Sequence, residues 1–165
     1  MAKVHLMIGI QGSGKSTFSK YLSSANNIMI VSTDRVRQQN PTWPEENIWP
    51  EVYRLCAENI KNNLDVIFDA TNITPKVRER FLNNVLFHFD GASKENLPFE
   101  YIGYFFNVDP KICMERVKLR NDMPNELYLP PEVVFSYHER LIEPSYDENF
   151  SKIYYVVDNQ LIEKK

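Results

Sequence analysis

The feature that most constrains this chain is the run Gly9-Ile10-Gln11-Gly12-Ser13-Gly14-Lys15-Ser16, which fills every fixed place of the pattern G-x-x-x-x-G-K-[ST]. A backbone that wraps an anion with several N–H groups at once needs residues free to take positive φ and to approach closely; Gly9, Gly12 and Gly14 supply that freedom. The pattern constrains the fold as well as the ligand, because it works only between a buried strand and a helix whose first amides face the anion. Both flanks are present. Val4 to Ile10 (VHLMIGI) reads as a strand buried on both faces, and Ser16 to Leu22 carries Phe18, Tyr21 and Leu22 at helical spacing. Gly12, Ser13, Gly14, Lys15, Ser16 and Thr17 are therefore candidate nucleotide-binding residues. Lys15 is expected to reach the β- and γ-phosphates, the Ser16 hydroxyl to hold Mg²⁺, and Thr17 to add a further phosphate contact.

A chain of 165 residues, 43% hydrophobic and 25% charged, is sized for one domain able to bury a real core, so residues 1–165 are read as a single unit. The formal charge of −3 excludes a whole-protein electrostatic footprint for a long duplex and leaves room only for a local basic site. Cys56 and Cys113 fall on the apolar side of helical patterns with no metal-ligand spacing, which reads as reduced core thiols. The apolar N-terminal run is short, contains His5 and leads into the glycine loop, so a strand is expected rather than a signal peptide. No run is long enough to cross a bilayer, and a cytoplasmic protein with no membrane partner is expected; nothing in the pattern speaks to oligomeric state.

Further along, Ile28 to Ser32 reads as a second strand, with Thr33-Asp34 at its tip and Arg37 three residues on, sharing a face of a short helix. Residues 40–50 hold three prolines and both tryptophans and read as an irregular segment, either a substrate wall or a core flap, before a helix marked by Ile48, Val52, Leu55, Cys56 and Ile60. Asp65-Val66-Ile67-Phe68-Asp69 is a third strand closed by a carboxylate, as expected of a Walker B strand. Thr74 and Pro75 then supply an N-cap and a first helical position for a helix burying Val77, Phe81, Leu82, Val85 and Phe89. Phe99 to Phe106 is a fourth strand, and Asp109-Pro110 opens a helix with Cys113 and Val117 inward and Arg116 and Arg120 four apart. The polar, proline-bearing stretch from about 121 to 131 reads as a mobile lid, followed by a helix on Val133, Tyr137 and Leu141 and a fifth strand, Ile153 to Val157. Strands alternating with helices imply an α/β fold: a doubly wound, mostly parallel five-stranded sheet with helices on both faces.

Ligands of such sheets sit outside the carboxyl ends of the strands, which makes the strand-tip carboxylates the chemical candidates. Asp34 is placed to take a proton from an alcohol acceptor, with plain N-capping of the following helix as the alternative. Asp69, ending an apolar strand, calls for a cationic or metal–water partner, with a turn-forming role as the alternative. Arg116 and Arg120 border the lid, where closure would bring positive charge onto phosphates; a solvated helix face is the alternative.

Three stretches together carry a resemblance: Ser32-Thr33-Asp34-Arg35-Val36-Arg37; Asp69-Ala70-Thr71-Asn72-Ile73-Thr74-Pro75-Lys76-Val77-Arg78; and Leu129 to Val134 leading to Glu143-Pro144-Ser145-Tyr146-Asp147-Glu148-Asn149-Phe150. From Val4 to Val157 the chain resembles the kinase module of the end-healing polynucleotide 5′-kinases. The resemblance implies a P-loop kinase using ATP and Mg²⁺, with a nucleic-acid 5′ end as acceptor. Lys15, Asp34 and Arg120 would be catalytic, Asp34 as the general base and Arg120 as the lid arginine. Arg37 would hold the phosphate on the 3′ side of the acceptor nucleotide, Arg116 would lie near the nucleotide base, and Ser16 with Asp69, the latter through water, would hold the metal. Two departures stand out: the family often has Asn-Arg-Asp where this chain has Ser32-Thr33-Asp34, and Glu-Gly-Phe where it has Glu148-Asn149-Phe150. Relatives with the same core phosphorylate sugars, nucleotides or aminoacyl-tRNA. The alternatives are therefore a small-molecule or toxin-type kinase and, from another class, a nucleotide-binding regulator with little turnover.

Overall fold

A computed structural model describes residues 1–165. Its strands are β1 (Lys3–Ile8), β2 (Met29–Ser32), β3 (Val66–Asp69), β4 (Glu100–Phe105), β5 (Lys152–Val157) and β6 (Gln160–Glu163). Its helices are α1 (Lys15–Asn26), α2 (Thr33–Gln39), α3 (Glu45–Lys61), α4 (Pro75–Leu86), α5 (Pro110–Asn121) and α6 (Val133–Arg140), with one 3-10 turn at Tyr146–Glu148. The strands form one sheet in the order β2-β3-β1-β4-β5-β6, parallel except for the last pair. The register pairs Val4 with both Val66 and Tyr101, and Ser32 with Asp69, so the chain leaves β1, β2 and β3 at one edge of the sheet. That edge carries the site.

The sheet has six strands where periodicity alone predicts five. Asp158 (φ 50°) and Asn159 (φ 61°) form a two-residue turn in left-handed conformation, which folds Gln160–Glu163 back antiparallel onto β5, pairing Val157 with Gln160. Two consecutive positive φ values match the right-handed twist of the flanking strands, and short Asp and Asn side chains tolerate them. The Asp-Asn pair between the strand-like runs YYVV and QLI is the local signal of this hairpin.

The alternation of β1 sorts its side chains to two faces. Val4, Leu6 and Ile8 join Val52, Cys56, Val66, Phe68, Phe81 and Val85 under α3 and α4, while Met7 joins Ile67, Ile102, Tyr104 and Phe106 against Phe18 of α1. Burial on both faces is why these strands read as continuous apolar runs. Phe68 and Phe81 stack with ring centroids 4.7 Å apart, and truncating such a buried ring costs about 3–5 kcal/mol. Both cysteines are free and buried.

Local signals explain most helix ends. Asn27 (φ 53°) stops α1; the Thr74 hydroxyl accepts from the Val77 N–H and Pro75 opens α4; Asp109 accepts from the Lys111 N–H to start α5. Four details depart from expectation: β1 ends at Ile8 rather than Ile10, and α4 ends at Leu86, which leaves Phe89 beyond it. The irregular segment assigned to 40–50 ends at Pro44, because α3 begins at Glu45 and carries Pro50 within it. On α6 the fully buried position is Val134 rather than Val133. No helix is long and apolar enough to cross a membrane.

Candidate active site

The three glycines of the loop do different work. Gly12 (φ +79°) and Gly14 (φ +101°) take the left-handed conformation, whereas Gly9 does not and is required by proximity instead. A Cβ on Gly9 would lie 2.8 Å from Ser13 Oγ and 3.0 Å from Phe106 Cβ, and one on Gly12 would lie 2.5 Å from the Cys113 carbonyl oxygen. A Cβ on Gly14 would meet nothing within 4 Å, so this side of the loop is open. The Gly9 N–H donates to the Thr71 carbonyl at 2.9 Å, tying the loop to the turn that follows β3. Gly14 is the N-cap of α1 and no side chain caps that helix. Its first amides therefore have no intrahelical acceptor, which makes the terminus an anion seat.

Lys15 is buried, and its Nζ donates to the Ile10 carbonyl at 2.8 Å. Burial is the main cause that lowers its pKa from 10.5 to about 8; Asp69 opposes the shift and Arg120 adds to it. The Ser16 hydroxyl donates to Asp69 Oδ2 at 2.8 Å, so the Asp69 carboxylate has a partner and is not merely a turn former. Arg116 is exposed, and its Nη1 donates to the Gly12 carbonyl at 3.0 Å, which places it against the loop. Arg120 lies near enough to act on Lys15, and its Nε is buried with no hydrogen-bond partner. Thr17 follows in the first turn of α1, exposed.

These residues fit the phosphates of a nucleotide and a hard cation. The loop offers an open glycine, the uncapped amides of α1, and two orphaned buried polar atoms, Ser13 Oγ and Arg120 Nε. No cluster of three or more His, Cys, Asp or Glu converges anywhere. A hydroxyl and one carboxylate are the sparse oxygen set that Mg²⁺ uses when water and substrate phosphate complete its shell.

On the neighbouring strand tip, Ser32 caps α2 by accepting from the Arg35 N–H at 2.9 Å. Asp34 is thereby released from the capping role and stands in the first helical turn with its side chain 62% exposed. Arg37 Nη1 donates to Asp34 Oδ1 at 2.9 Å, while Nε reaches Glu45 Oε2 at 3.0 Å and Nη2 pairs with the same carboxylate. Glu45, the first residue of α3, was not among the sequence candidates; the available signal was Pro44 before Glu45-Glu46, an acidic first turn. Its hydrogen bond is the largest cause raising the Arg37 pKa.

A second group escaped the sequence pattern. Arg78 is 1% exposed; its Nη1 donates to the Asn72 carbonyl at 2.8 Å and its Nε and Nη2 fork onto Glu148 at 2.6 and 3.1 Å. Asn72 (φ 46°) donates in turn to the Met7 carbonyl at 2.9 Å. Arg78 thus holds the turn whose Thr71 carbonyl anchors Gly9. Its place on the stripe shared with Phe81, Leu82 and Val85 marked it as inward-facing.

Comparison with known proteins speaks to the family and the fold. The family model described as an AAA domain matches residues 4–144. A nucleotide-binding protein of Limosilactobacillus reuteri (strain DSM 20016) is 25% identical over 109 residues, covering 64% of this chain and 37% of the relative. The chain thus spans under two fifths of that curated relative's length. Among solved structures, a chain of the Pnkp1/Rnl/Hen1 RNA repair complex superposes with a TM-score of 0.65 at 22% identity, covering 85% of this chain and 44% of that one. A fungal RNA kinase gives 0.67 at 16% identity, with 99% and 76% covered. A gluconokinase from Sinorhizobium meliloti 1021 gives 0.56 at 15% identity, with 94% and 83% covered. These likenesses share the fold: a mostly parallel α/β sheet of the P-loop kinase type.

Proposed function

Because the chain belongs to the AAA domain family and has a P-loop kinase fold, we propose that it moves the γ-phosphoryl group of ATP to an alcohol, most specifically a polynucleotide 5′-hydroxyl. The observation that carries the proposal is the pairing of two strand tips. Lys15 and Arg120 gather charge at the loop, while Asp34, freed of capping by Ser32, faces outward beside Arg37 on the tip of β2.

The steps follow from these positions. Lys15 exchanges the Ile10 carbonyl for β- and γ-phosphate oxygens, and the Arg120 Nε–H finds its acceptor there. Asp34 accepts the proton of the acceptor hydroxyl as its oxygen bonds to the γ-phosphorus. The bond from that phosphorus to the β–γ bridging oxygen breaks, and ADP leaves with the electron pair. Ser16 and, through water, Asp69 would hold Mg²⁺, which when bound would supply neutralisation of developing phosphate charge. Arg37 grips the phosphate on the 3′ side of the reacting nucleotide, and Arg116, already tied to Gly12, lies toward the nucleotide base. The segment 121–131 acts as the lid over this arrangement. Asn121 latches its far end, donating to the Leu129 carbonyl at 2.8 Å and accepting from the Leu129 N–H at 3.0 Å.

Fold likeness to a gluconokinase supports a second proposal, a small-molecule kinase. Labelled ATP offered with 5′-hydroxyl oligonucleotides, nucleoside 3′-phosphates, nucleosides and sugars decides between them. Label on 5′ ends supports the polynucleotide acceptor. Label on sugars alone transfers the reading to the second proposal, and tight ATP binding with no transfer to any acceptor would point to a regulator.

A further inference from the structure

The fold treats the two tryptophans of the chain oppositely. Trp49 packs edge-on against Phe68, centroids 5.9 Å apart, and against Tyr53 at 6.1 Å, so it is the core flap. Trp43 remains 39% exposed and pairs with no other aromatic ring; its backbone N–H donates to the Asn40 carbonyl at 3.0 Å, which fixes the turn that carries it. It lines a cleft of about 650 Å³, with Arg37, Gln38 and Glu45 on the α2–α3 side and Asn125 and Leu127 on the lid side. That volume is within the range of small-ligand sites. Gln38 Nε2 donates to the Asn125 carbonyl at 3.2 Å, joining the two sides.

We propose that this cleft seats the nucleobase of the second nucleotide of a single-stranded 5′ end, and that Trp43 is the platform on which it stacks. The proposal rests on the polynucleotide reading above and deepens it. Asp34 attends the reacting hydroxyl and Arg37 the phosphate that joins the first nucleotide to the second. Arg37 also lines the cleft, so the strand continues past it into this space. An exposed aromatic face gives sequence-tolerant stacking, because every base has a π-face. The charges specify which part of the nucleotide enters. Arg37 is the single cation, while Glu45 and Glu126 line the rest, so the phosphate stops at Arg37 and the neutral base goes further. A base that carries an exocyclic amino group finds carboxylate and amide acceptors there. Glu45 already occupies Arg37 in the absence of acceptor, and the incoming phosphate displaces it.

The test compares kcat/KM of the wild type, Trp43→Ala and Trp43→Phe on a nucleoside 3′-phosphate, a 5′-hydroxyl dinucleotide, and the same dinucleotide with an abasic second residue. The wild type is expected to prefer the base-bearing dinucleotide over the other two by roughly 5- to 150-fold, the range of one base–aromatic stack. Trp43→Ala should erase that preference and Trp43→Phe should keep most of it, with losses confined to the base-bearing acceptor. An abasic dinucleotide as good as the intact one, or equal losses on all three acceptors in Trp43→Ala, overturns the assignment. Wild-type turnover of the nucleoside 3′-phosphate separates the two readings. If it is phosphorylated and the second base adds nothing, only the cleft assignment fails; if no 5′-hydroxyl nucleotide is phosphorylated, the polynucleotide acceptor fails and the cleft assignment falls with it.

Discussion

The loop at the end of β1 and the helix at the end of β2 lie at the same end of the sheet, separated by the tip of β3, yet they are built on opposite principles. The loop is closely packed on its inner side: Gly9 and Gly12 have no room for a side chain, Lys15 is buried, and the backbone is tied to Thr71. The tip of β2, where the acceptor is proposed to bind, is open. Asp34 is largely exposed, and Arg37 is held by two exposed carboxylates, Asp34 and Glu45, rather than by backbone. A conserved-geometry ligand such as a polyphosphate can be met by fixed amides, whereas an acceptor that arrives and leaves each turnover needs groups whose present partners are displaceable.

The contrast is sharpest in what each side should lose on mutation. Lys15→Ala should abolish phosphoryl transfer with no fall in melting temperature, because its buried charge is not a stabilising contact; a folded variant with wild-type turnover would break the assignment of the loop. Asp34→Asn should lower kcat by about 10²- to 10⁴-fold while ATP affinity by titration stays at the wild-type value. Parallel losses in both would return Asp34 to a structural role. Arg37→Ala should cost about ten- to a hundredfold in kcat/KM on 3′-phosphorylated acceptors and little on bare nucleosides, the worth of one charge-assisted contact. Uniform loss on every acceptor with a lowered melting temperature would mean that Arg37 serves the Asp34–Glu45 junction instead.

The smallest effect concerns pH and belongs to the loop. With the Lys15 pKa lowered from 10.5 to about 8, the folded protein binds fewer protons than the unfolded chain between those values, so this group makes stability rise with pH across that window. A bound polyphosphate restores the charged form. Above pH about 8, nucleotide binding should therefore take up a proton, and affinity should fall by up to about tenfold per pH unit until the lysine of the bound state titrates. Calorimetry in buffers of different ionisation enthalpy measures the uptake; pH-independent affinity from 7 to 9.5 would show that Lys15 is already charged in the free protein.

How much of this was legible in the residues varies with the range of the interaction. The loop, the strand ends at Ser32 and Asp69, and the caps at Thr74 and Asp109 are local patterns, and each appears where its spacing places it. Cys56, Phe81 and Val85 follow their helical periods into the core. The hairpin at Asp158-Asn159 was local too and should have been read. Arg78 was half legible: its stripe showed that it turned inward, but its partner Glu148 lies 70 residues further along the chain. Trp43 and Trp49 could not be separated by composition or period at all, since the choice between cleft and core depends on whether Phe68 stands opposite.

By itself, then, the sequence determined the anion-binding loop, the doubly wound α/β class and the identity of the strand-tip carboxylates. Each of these follows from φ preference, hydrophobic period or capping chemistry within a few residues. Tertiary structure decided that Ser32 and not Asp34 caps α2, that Glu45 competes for Arg37, that Arg78 braces the Asn72 turn, and that one tryptophan faces a cleft while the other fills the core. These depend on which groups the crossovers bring within about 3–4 Å of one another, and a side chain's partner across the sheet leaves no periodic trace in its own neighbourhood.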